Sequence, residues 1–575
     1  MRDVRSRLPS RPVLFAIQAL AMLAVIALTN PGVPERIENL TREGKPAAIV
    51  VFAALWGLGL AGVLAAMLTP NKWVRIGWAV VIALSAGAGY AFYIASDTEL
   101  SIFDVVSLWS AAHEAGRAMS FYQQSLAGAL IVFAATAVLI VLPPPLLPAR
   151  MRRFARYLAV VPLLPIAAYA GLIASRDGDG SRALPAQFAP LSIAGLAGAK
   201  LATSSLPQRE QVAWTPGRPL AKKVVMLIDE SIRGDFIDFV PGNPYTPLIA
   251  SEDSRLINYG LASSGGNCSH YSNAILRFGG VRHNLMASMT HNPTLWKFAK
   301  KAGFRTVFID GQAAFMRNAG YSGKFQNFMS AAEAADIDDF YALTDNPTPH
   351  LDDKLVDVVV DELKGDKPVF IYAVKNGAHF PYDADYPPSV APFQPTMAER
   401  GHNDVEARVN SYRNAIRWSV DRILKRLLDE ANLKDTVIIY TSDHGQNLTG
   451  KGLTHCTIED PVPGEGIVPL MAITDDTTLR ARFAQGAQES FNHASHFEIA
   501  PTVLQLLGYP RPSIIAKYGP SLFDANREAA AFTSGDVFGL FSSKVRWHSV
   551  DLVAAAARVA HAEARAESHQ AAPTN

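Results

Sequence analysis

The chain has 575 residues, more than one ordinary domain uses, with 49% hydrophobic and 18% charged residues and a mean hydropathy of +0.11. A net charge of +1, with no Arg/Lys stripe interleaved with aromatics, argues against a nucleic-acid partner, and two cysteines exclude a disulfide-dense scaffold. The apolar excess lies almost wholly before residue 175.

Five apolar runs fill that first part, at roughly Val13–Leu28, Ala47–Leu68, Val74–Ala95, Ser125–Leu142 and Tyr157–Ala174. Most approach the ~20 residues that cross a bilayer as helix. The first is short, but TNPGVPERIENL after it offers no small-residue cleavage site, so it reads as a retained anchor. Orientation follows from the basic residues near the span ends. Arg2, Arg5, Arg7 and Arg11 precede the first run, Lys72 and Arg75 lie between the second and third, and Arg150, Arg152, Arg153 and Arg156 between the fourth and fifth. The opposite loops are mixed or acidic. The expectation is a transmembrane domain over 1–174 with its N-terminus inside and everything after residue 175 outside. Between the third and fourth runs, FDVVSLWSAAHEAGRAM suggests an amphipathic helix near 101–118 lying at the outer boundary, with Trp109 as anchor. Residues 175–222 are rich in Gly, Pro, Ser and Arg and read as a linker, with a short helix near Ile193–Ala202.

From residue 223 to about 530 strand and helix patterns alternate, the mark of an α/β domain with a mostly parallel sheet flanked by helices. VVMLI (224–228), RTVFI, KPVFIYAV (367–374), VIIYT and VPLMAI read as strands. PTLWKFAKKAG reads as a helix closed by Gly303, Val409–Leu433 as a long amphipathic helix, and HFEIAPTVLQLLG as a late helix ending at Gly508. Residues 531–575 read as an extension beyond the completed domain, ending in an Ala-rich helix and a polar tail.

The strand ends carry the chemistry. VVMLI runs into Asp229-Glu230-Ser231, YAV into Lys375-Asn376-Gly377-Ala378-His379, and VIIYT into Ser442-Asp443-His444, with His455 twelve residues after Asp443. Ligands bind at the carboxyl ends of strands in such sheets. Carboxylates and imidazoles brought to one edge suit Zn²⁺. Each group alone has an ordinary reading as a helix-terminal charge or a turn residue; together they favour a metal site. A nucleophile is offered by SSGGNCSHYSNAILRFGG (263–280), where Ser269 sits at the start of a helix. Two other readings stand beside it: Ser269 or Ser272 as a plain N-cap, and Cys268 as the nucleophile.

IDESIRGD, GGNCSHYSN, NGAHFPYDADYP and SDHGQNLTGKGLTH, in that order, resemble the alkaline phosphatase/sulfatase superfamily. With five apolar runs ahead of them, they look like the membrane-bound phosphoethanolamine transferases of that superfamily. The resemblance implies a bacterial inner-membrane enzyme with its catalytic domain in the periplasm. It implies phosphatidylethanolamine as donor and a lipid A, lipopolysaccharide core or other envelope glycan as acceptor. It also implies Zn²⁺, one tight site with room for a second metal. Matched residue by residue, Glu230, Asp443 and His444 take the positions of zinc ligands and Ser269 that of the nucleophile, usually Thr. His379 and His455 match histidines that hold the phosphate or a second metal. Ser110 and Glu114 fall where the family contacts the donor head group, although Val106 replaces its Asn. The family's phosphate-binding Lys has no clear counterpart in FIDGQAAFMRNAG, where Arg317 is the nearest cation. A glycerol-phosphate transferase of the lipoteichoic-acid-synthase type is the alternative. So is a membrane-anchored sulfatase-like hydrolase, but neither Cys268 nor Ser269 has the Pro and Arg spacing of the aldehyde-forming motif. Because Cys268 adjoins Ser269 and Cys456 adjoins His455, a disulfide between them is open if their Cα atoms come within about 7 Å.

Overall fold

The computed structural model describes residues 11–110, 123–144, 155–204, 207–250, 253–313, 329–344 and 348–557. Two compact units divide the chain, one helical and holding most of the residues before 205, the other α/β and holding most of those after it.

All five apolar runs carry helix, at Arg11–Leu28, Pro46–Leu68, Lys72–Ser96, Gln123–Val141 and Leu163–Ser175. Local signals set their ends. Pro46 occupies the first turn, where a missing N–H costs nothing, and the Asn71 side chain accepts from the N–H groups of Trp73 and Val74. Among the described residues, two of them, Pro46–Leu68 and Lys72–Ser96, are long and apolar enough to cross a membrane. The first helix and Val33–Arg42 form a pair bent by 64° that meets the same test together, giving three. The expectation of five full spans is therefore met in part. The apolar stretches Ser125–Val141 and Leu163–Ser175 are shorter helices. The fifth run is shortened for a visible reason: Ala155–Ala159 is a 3₁₀ turn, and the α-helix begins only after Pro162, which has no N–H to give a preceding turn.

The stretch read as a linker is one only in part. Residues around 181–193 pack inside the helical unit, with Phe188 and Ile193 fully buried. Their backbone is satisfied by side chains: half-buried Trp56 donates to the Ala183 carbonyl, buried Ser85 to that of Ala186, and the Ala186 N–H to buried Asn30. The short helix expected near Ile193–Ala202 runs Ala189–Thr203.

The α/β unit is built on a seven-stranded sheet. In chain order its strands are β1 (Lys223–Asp229), β2 (Leu256–Ser263), β3 (Arg305–Asp310), β4 (Asp339–Ala342), β5 (Val369–Val374), β6 (Thr436–Ser442) and β7 (Ile467–Ile473). Across the sheet they lie in the order β2-β7-β6-β1-β5-β3-β4. The pairs β6–β1, β1–β5, β5–β3 and β3–β4 are parallel, and β7 is antiparallel to both neighbours. The expected strands are all present. They read as continuous apolar runs because helices cover both faces, and every residue of β1, β5, β6 and β7 is buried. Val405–Glu430 is one long helix interrupted by a π turn at Arg417–Asp421, close to its expected bounds. The Leu295–Lys301 helix is capped by Thr294.

The domain does not end at 530. Strands β8 (Ala531–Ser534) and β9 (Arg546–Ser549) pair antiparallel. Phe532 is buried against Leu261 and Ile467. The Thr533 N–H donates to the Gly265 carbonyl, and its own carbonyl accepts from the Asn267 N–H. This strand thus holds the loop that leads to Ser269.

Candidate metal and phosphoryl-transfer site

Topology brings the chemistry to one edge. β1, β3, β5 and β6 are mutually parallel, so their carboxyl ends coincide; Asp229 is level with Ser442, and Ile228 with Val374. β2 is antiparallel to β7, which is antiparallel to β6, so β2 also ends at this edge. Its last residue, Ser263, leads through the small-residue loop to Ser269. Gly377 is required here: with φ +61°, a Cβ would sit 2.4 Å from the Asp229 carboxylate and 2.5 Å from the Glu230 carbonyl.

Four of the expected residues converge. Glu230, Asp443 and His444 present oxygen and nitrogen atoms within 4.8 Å of one another, all buried. The Ser269 hydroxyl lies 3.1 Å from Glu230 Oε2 and 3.1 Å from His444 Nε2. His444 Nδ1 lies 2.7 Å from the Gly445 carbonyl, which only accepts, so Nδ1 carries the proton and Nε2 turns to the site. Asp443 Oδ1 accepts from the N–H groups of Ser231 and His444. Glu230 Oε1 accepts from the Ser231 hydroxyl, and Oε2 from the Gln312 amide.

Electrostatically the cluster sets two buried carboxylates against one imidazole. Burial, and then the neighbouring Glu230 charge, push Asp443 up to about 8. His444 rises to about 9: burial opposes this, but the two carboxylates outweigh it. Glu230 is held low; burial opposes, and the hydrogen bond and charge of His444 prevail. Two buried carboxylates thus draw protons into the cluster, the role a divalent cation takes over when bound. Two anionic oxygens, one imidazole nitrogen and a hydroxyl are a donor set that fits Zn²⁺.

The other expected residues distribute as follows. His455 stacks on His444, ring centroids 4.5 Å apart and planes 19° apart, and His379 lies 6.5 Å from His455. His379 Nδ1 donates to the Phe380 carbonyl. Ser110 ends the helix Ile102–Ser110. Glu114 and Arg317 lie outside the described residues, as does the rest of the stretch expected to be interfacial.

Two readings left open by the sequence are settled. Cys268 and Cys456 form a disulfide, with Cα atoms 4.7 Å apart, so Cys268 offers no free thiol. The bridge is reinforced by the Cys456 N–H donating to Asn267, and by Asn267 donating to the Thr457 carbonyl and to Glu465. Neither serine is an N-cap. Cys268 holds that position without a side-chain cap, and Ser272 spends its hydroxyl on both polar groups of the Gly266 backbone. Gln312 is a site residue that sequence reading missed; it follows β3, whose shared edge was the available signal. Lys375, the cation nearest in sequence to His379, is fully buried on Asp229 and on the Ser419 carbonyl, and so supports the floor of the site.

A serine hydroxyl at a helix start, facing an acid–imidazole cluster on the carboxyl edge of a largely parallel sheet, is the arrangement of an enzyme of the alkaline phosphatase/sulfatase type. The chain belongs to the sulfatase family, whose profile, described as Sulfatase, matches residues 222–509. No curated protein matches it. Among solved structures it is similar to the integral membrane lipooligosaccharide phosphoethanolamine transferase A (EptA) of Neisseria meningitidis. That likeness has 17% identity and a TM-score of 0.63, and covers 86% of this chain and 96% of that one. It shows a shared fold spanning both units. The zinc complex of the periplasmic domain of EptC from Escherichia coli aligns at 18% identity and TM-score 0.44, covering 61% of this chain and 97% of that one. The periplasmic domain of phosphoethanolamine transferase EptC from Campylobacter jejuni aligns at 18% and 0.44, covering 56% and 100%.

Proposed function

We propose that this chain is a five-span inner-membrane enzyme with a periplasmic catalytic domain. It would transfer phosphoethanolamine from phosphatidylethanolamine to a lipid A, lipopolysaccharide core or other envelope glycan acceptor through a phospho-Ser269 intermediate. The observation that carries the reading is the Ser269 hydroxyl, 3.1 Å from both Glu230 and His444 at the mouth of a buried donor cluster. Zn²⁺ held by Glu230, Asp443 and His444 would lower the proton affinity of that hydroxyl and offset charge on the phosphoryl oxygens. Ser269 Oγ bonds to phosphorus as the bond to the diacylglycerol oxygen breaks. The Ser269 proton is lost to solvent as that bond forms, and the diacylglycerol oxygen takes up a proton from His379 or His455, the imidazoles that neighbour the cluster. An oxygen of the acceptor then attacks the same phosphorus, the Oγ–P bond breaks, and Ser269 regains its proton. Membrane anchoring suits a reaction in which donor and acceptor are both lipids.

Incubating purified protein with head-group-labelled phosphatidylethanolamine or phosphatidylglycerol tests this directly. Ethanolamine label should become covalently bound at Ser269 and be lost on adding acceptor. Glycerol label alone would replace this reading with the glycerol-phosphate one, and release of free head group without transfer would replace it with a hydrolase.

A further inference from the structure

Asn273 stands one helical turn after Ser269, fully buried and facing the site. Its amide nitrogen donates to the Ser269 carbonyl at 3.0 Å and lies 3.4 Å from Asp443 Oδ2. Its amide oxygen accepts from the Tyr372 hydroxyl at 2.7 Å. Tyr372 lies on β5, also fully buried. The Arg277 guanidinium, one further turn along the Ser269 helix, lies 5.9 Å from the Tyr372 ring centroid. Arg277 pairs through Nε with Glu333 Oε1 at 2.7 Å, and the Trp296 indole N–H donates to the same oxygen at 3.0 Å.

The chain of bonds has one direction. Glu333 accepts, and Arg277 can only donate, so a cation faces Tyr372, whose hydroxyl points its hydrogen at Asn273. That requirement fixes the amide with its oxygen toward Tyr372 and its NH₂ toward Asp443. Asp443 Oδ1 is already held by two backbone N–H groups. The amide addresses the second oxygen, and with the same NH₂ ties it to the backbone of the nucleophile. Hydrogen-bond partners of this kind orient metal ligands and set their basicity.

We infer that Asn273, oriented by Tyr372 and the buried Arg277–Glu333 pair, is a positioning residue that aims Asp443 and locks it in register with Ser269. This rests on the reading that Glu230, Asp443 and His444 hold the metal. The relay crosses from the Ser269 helix through β5 to a residue at position 333, and none of its members touches the reacting atoms directly.

The test measures zinc affinity of the full-length protein by chelator competition, beside melting temperature and the kcat and KM of transfer, in wild type, Tyr372→Phe, Asn273→Leu and Asp443→Asn. Wild type should bind zinc and Asp443→Asn should not. Tyr372→Phe keeps the ring but frees the amide to turn, and should weaken zinc binding about tenfold or more and lower kcat with KM unchanged. Asn273→Leu should lose at least as much. A Tyr372→Phe protein with a lower melting temperature but wild-type zinc affinity and kcat would overturn the relay, leaving the metal reading intact. Wild type that bound no zinc would overturn the metal reading and the relay with it. Should Asn273→Leu fail to fold, Tyr372→Phe decides alone.

Discussion

Replacing Cys268 and Cys456 together with Ala removes the bridge without leaving a free thiol. The two cysteines are 188 residues apart, so the bridge closes a long loop in the unfolded chain. On the chain-entropy account, losing that constraint costs about 5 kcal/mol, toward the upper end of what native bridges contribute. The α/β unit comprises roughly 350 residues, with an unfolding entropy near 2 cal/mol/K per residue, so its melting temperature should fall by about 7 °C. The fold at the site should survive. Asn267 still donates to the Thr457 carbonyl and to Glu465, and the Cys456 N–H bond to Asn267 uses only backbone. Activity at 25 °C should therefore fall less than the stability change suggests. Scanning fluorimetry of the full-length protein in detergent measures the shift. Wild type with reductant should converge on the double variant, and reductant should leave the variant unmoved. A double variant melting within about 1 °C of wild type would refute the entropic argument. Two free thiols in protein purified without reductant would refute the bridge itself.

Ser269→Ala should abolish transfer while zinc remains bound, whereas Asp443→Asn should lose both, as read by metal content and labelled-lipid turnover. Glu498 supplies a pH signature away from the site. Burial drives its carboxyl up to about 8 against the hydrogen bonds from Ser495 and Asn526, so the folded state holds a proton that the unfolded chain releases near its ordinary 4.5. Stability must then decline as pH climbs from 4.5 towards 8, and Glu498→Gln should flatten that slope in a series of melts. Phe532→Ala empties a buried ring position against Leu261 and Ile467 and should cost about 3–5 kcal/mol in denaturant unfolding. For topology, reporters fused after Arg176 should be active only outside the cytoplasm and those after Arg153 only inside; the opposite pattern would overturn the five-span reading.

What the sequence showed plainly was whatever local apolar content determines. β1, β5, β6 and β7 announce themselves as runs because they are buried on both faces. β2 does not: LINYGLAS alternates in burial and carries an irregularity between Asn258 and Leu261, so no run forms. β4, DFYA, is a short edge strand with two exposed residues. The metal-type cluster was legible because its members follow strands directly. Asn273, Tyr372 and Gln312 were not, since their roles depend on β5 lying beside β1 and β3 beside β5, a strand order that spacing does not reveal. The cysteines were legible as neighbours of converging loops, but not the directions of their Cβ atoms. Pro162, present in the sequence, was outweighed by the hydropathy of the run around it.

The backbone of β8 anchors the loop before Ser269, and that has a consequence for how the protein is made. Synthesis delivers the chain from the N-terminus onward, so Ser269 is produced long before two of its supports. Cys268 waits for Cys456, and Gly265 and Asn267 wait for Thr533. A nascent chain still short of residue 533 has its serine, its carboxylates and its imidazoles, yet no strand to hold the serine loop. The site is therefore incomplete until residue 533 has been made, and a chain that stalls or is clipped before that point leaves the Ser269 loop held by the Cys268–Cys456 bridge without the β8 backbone.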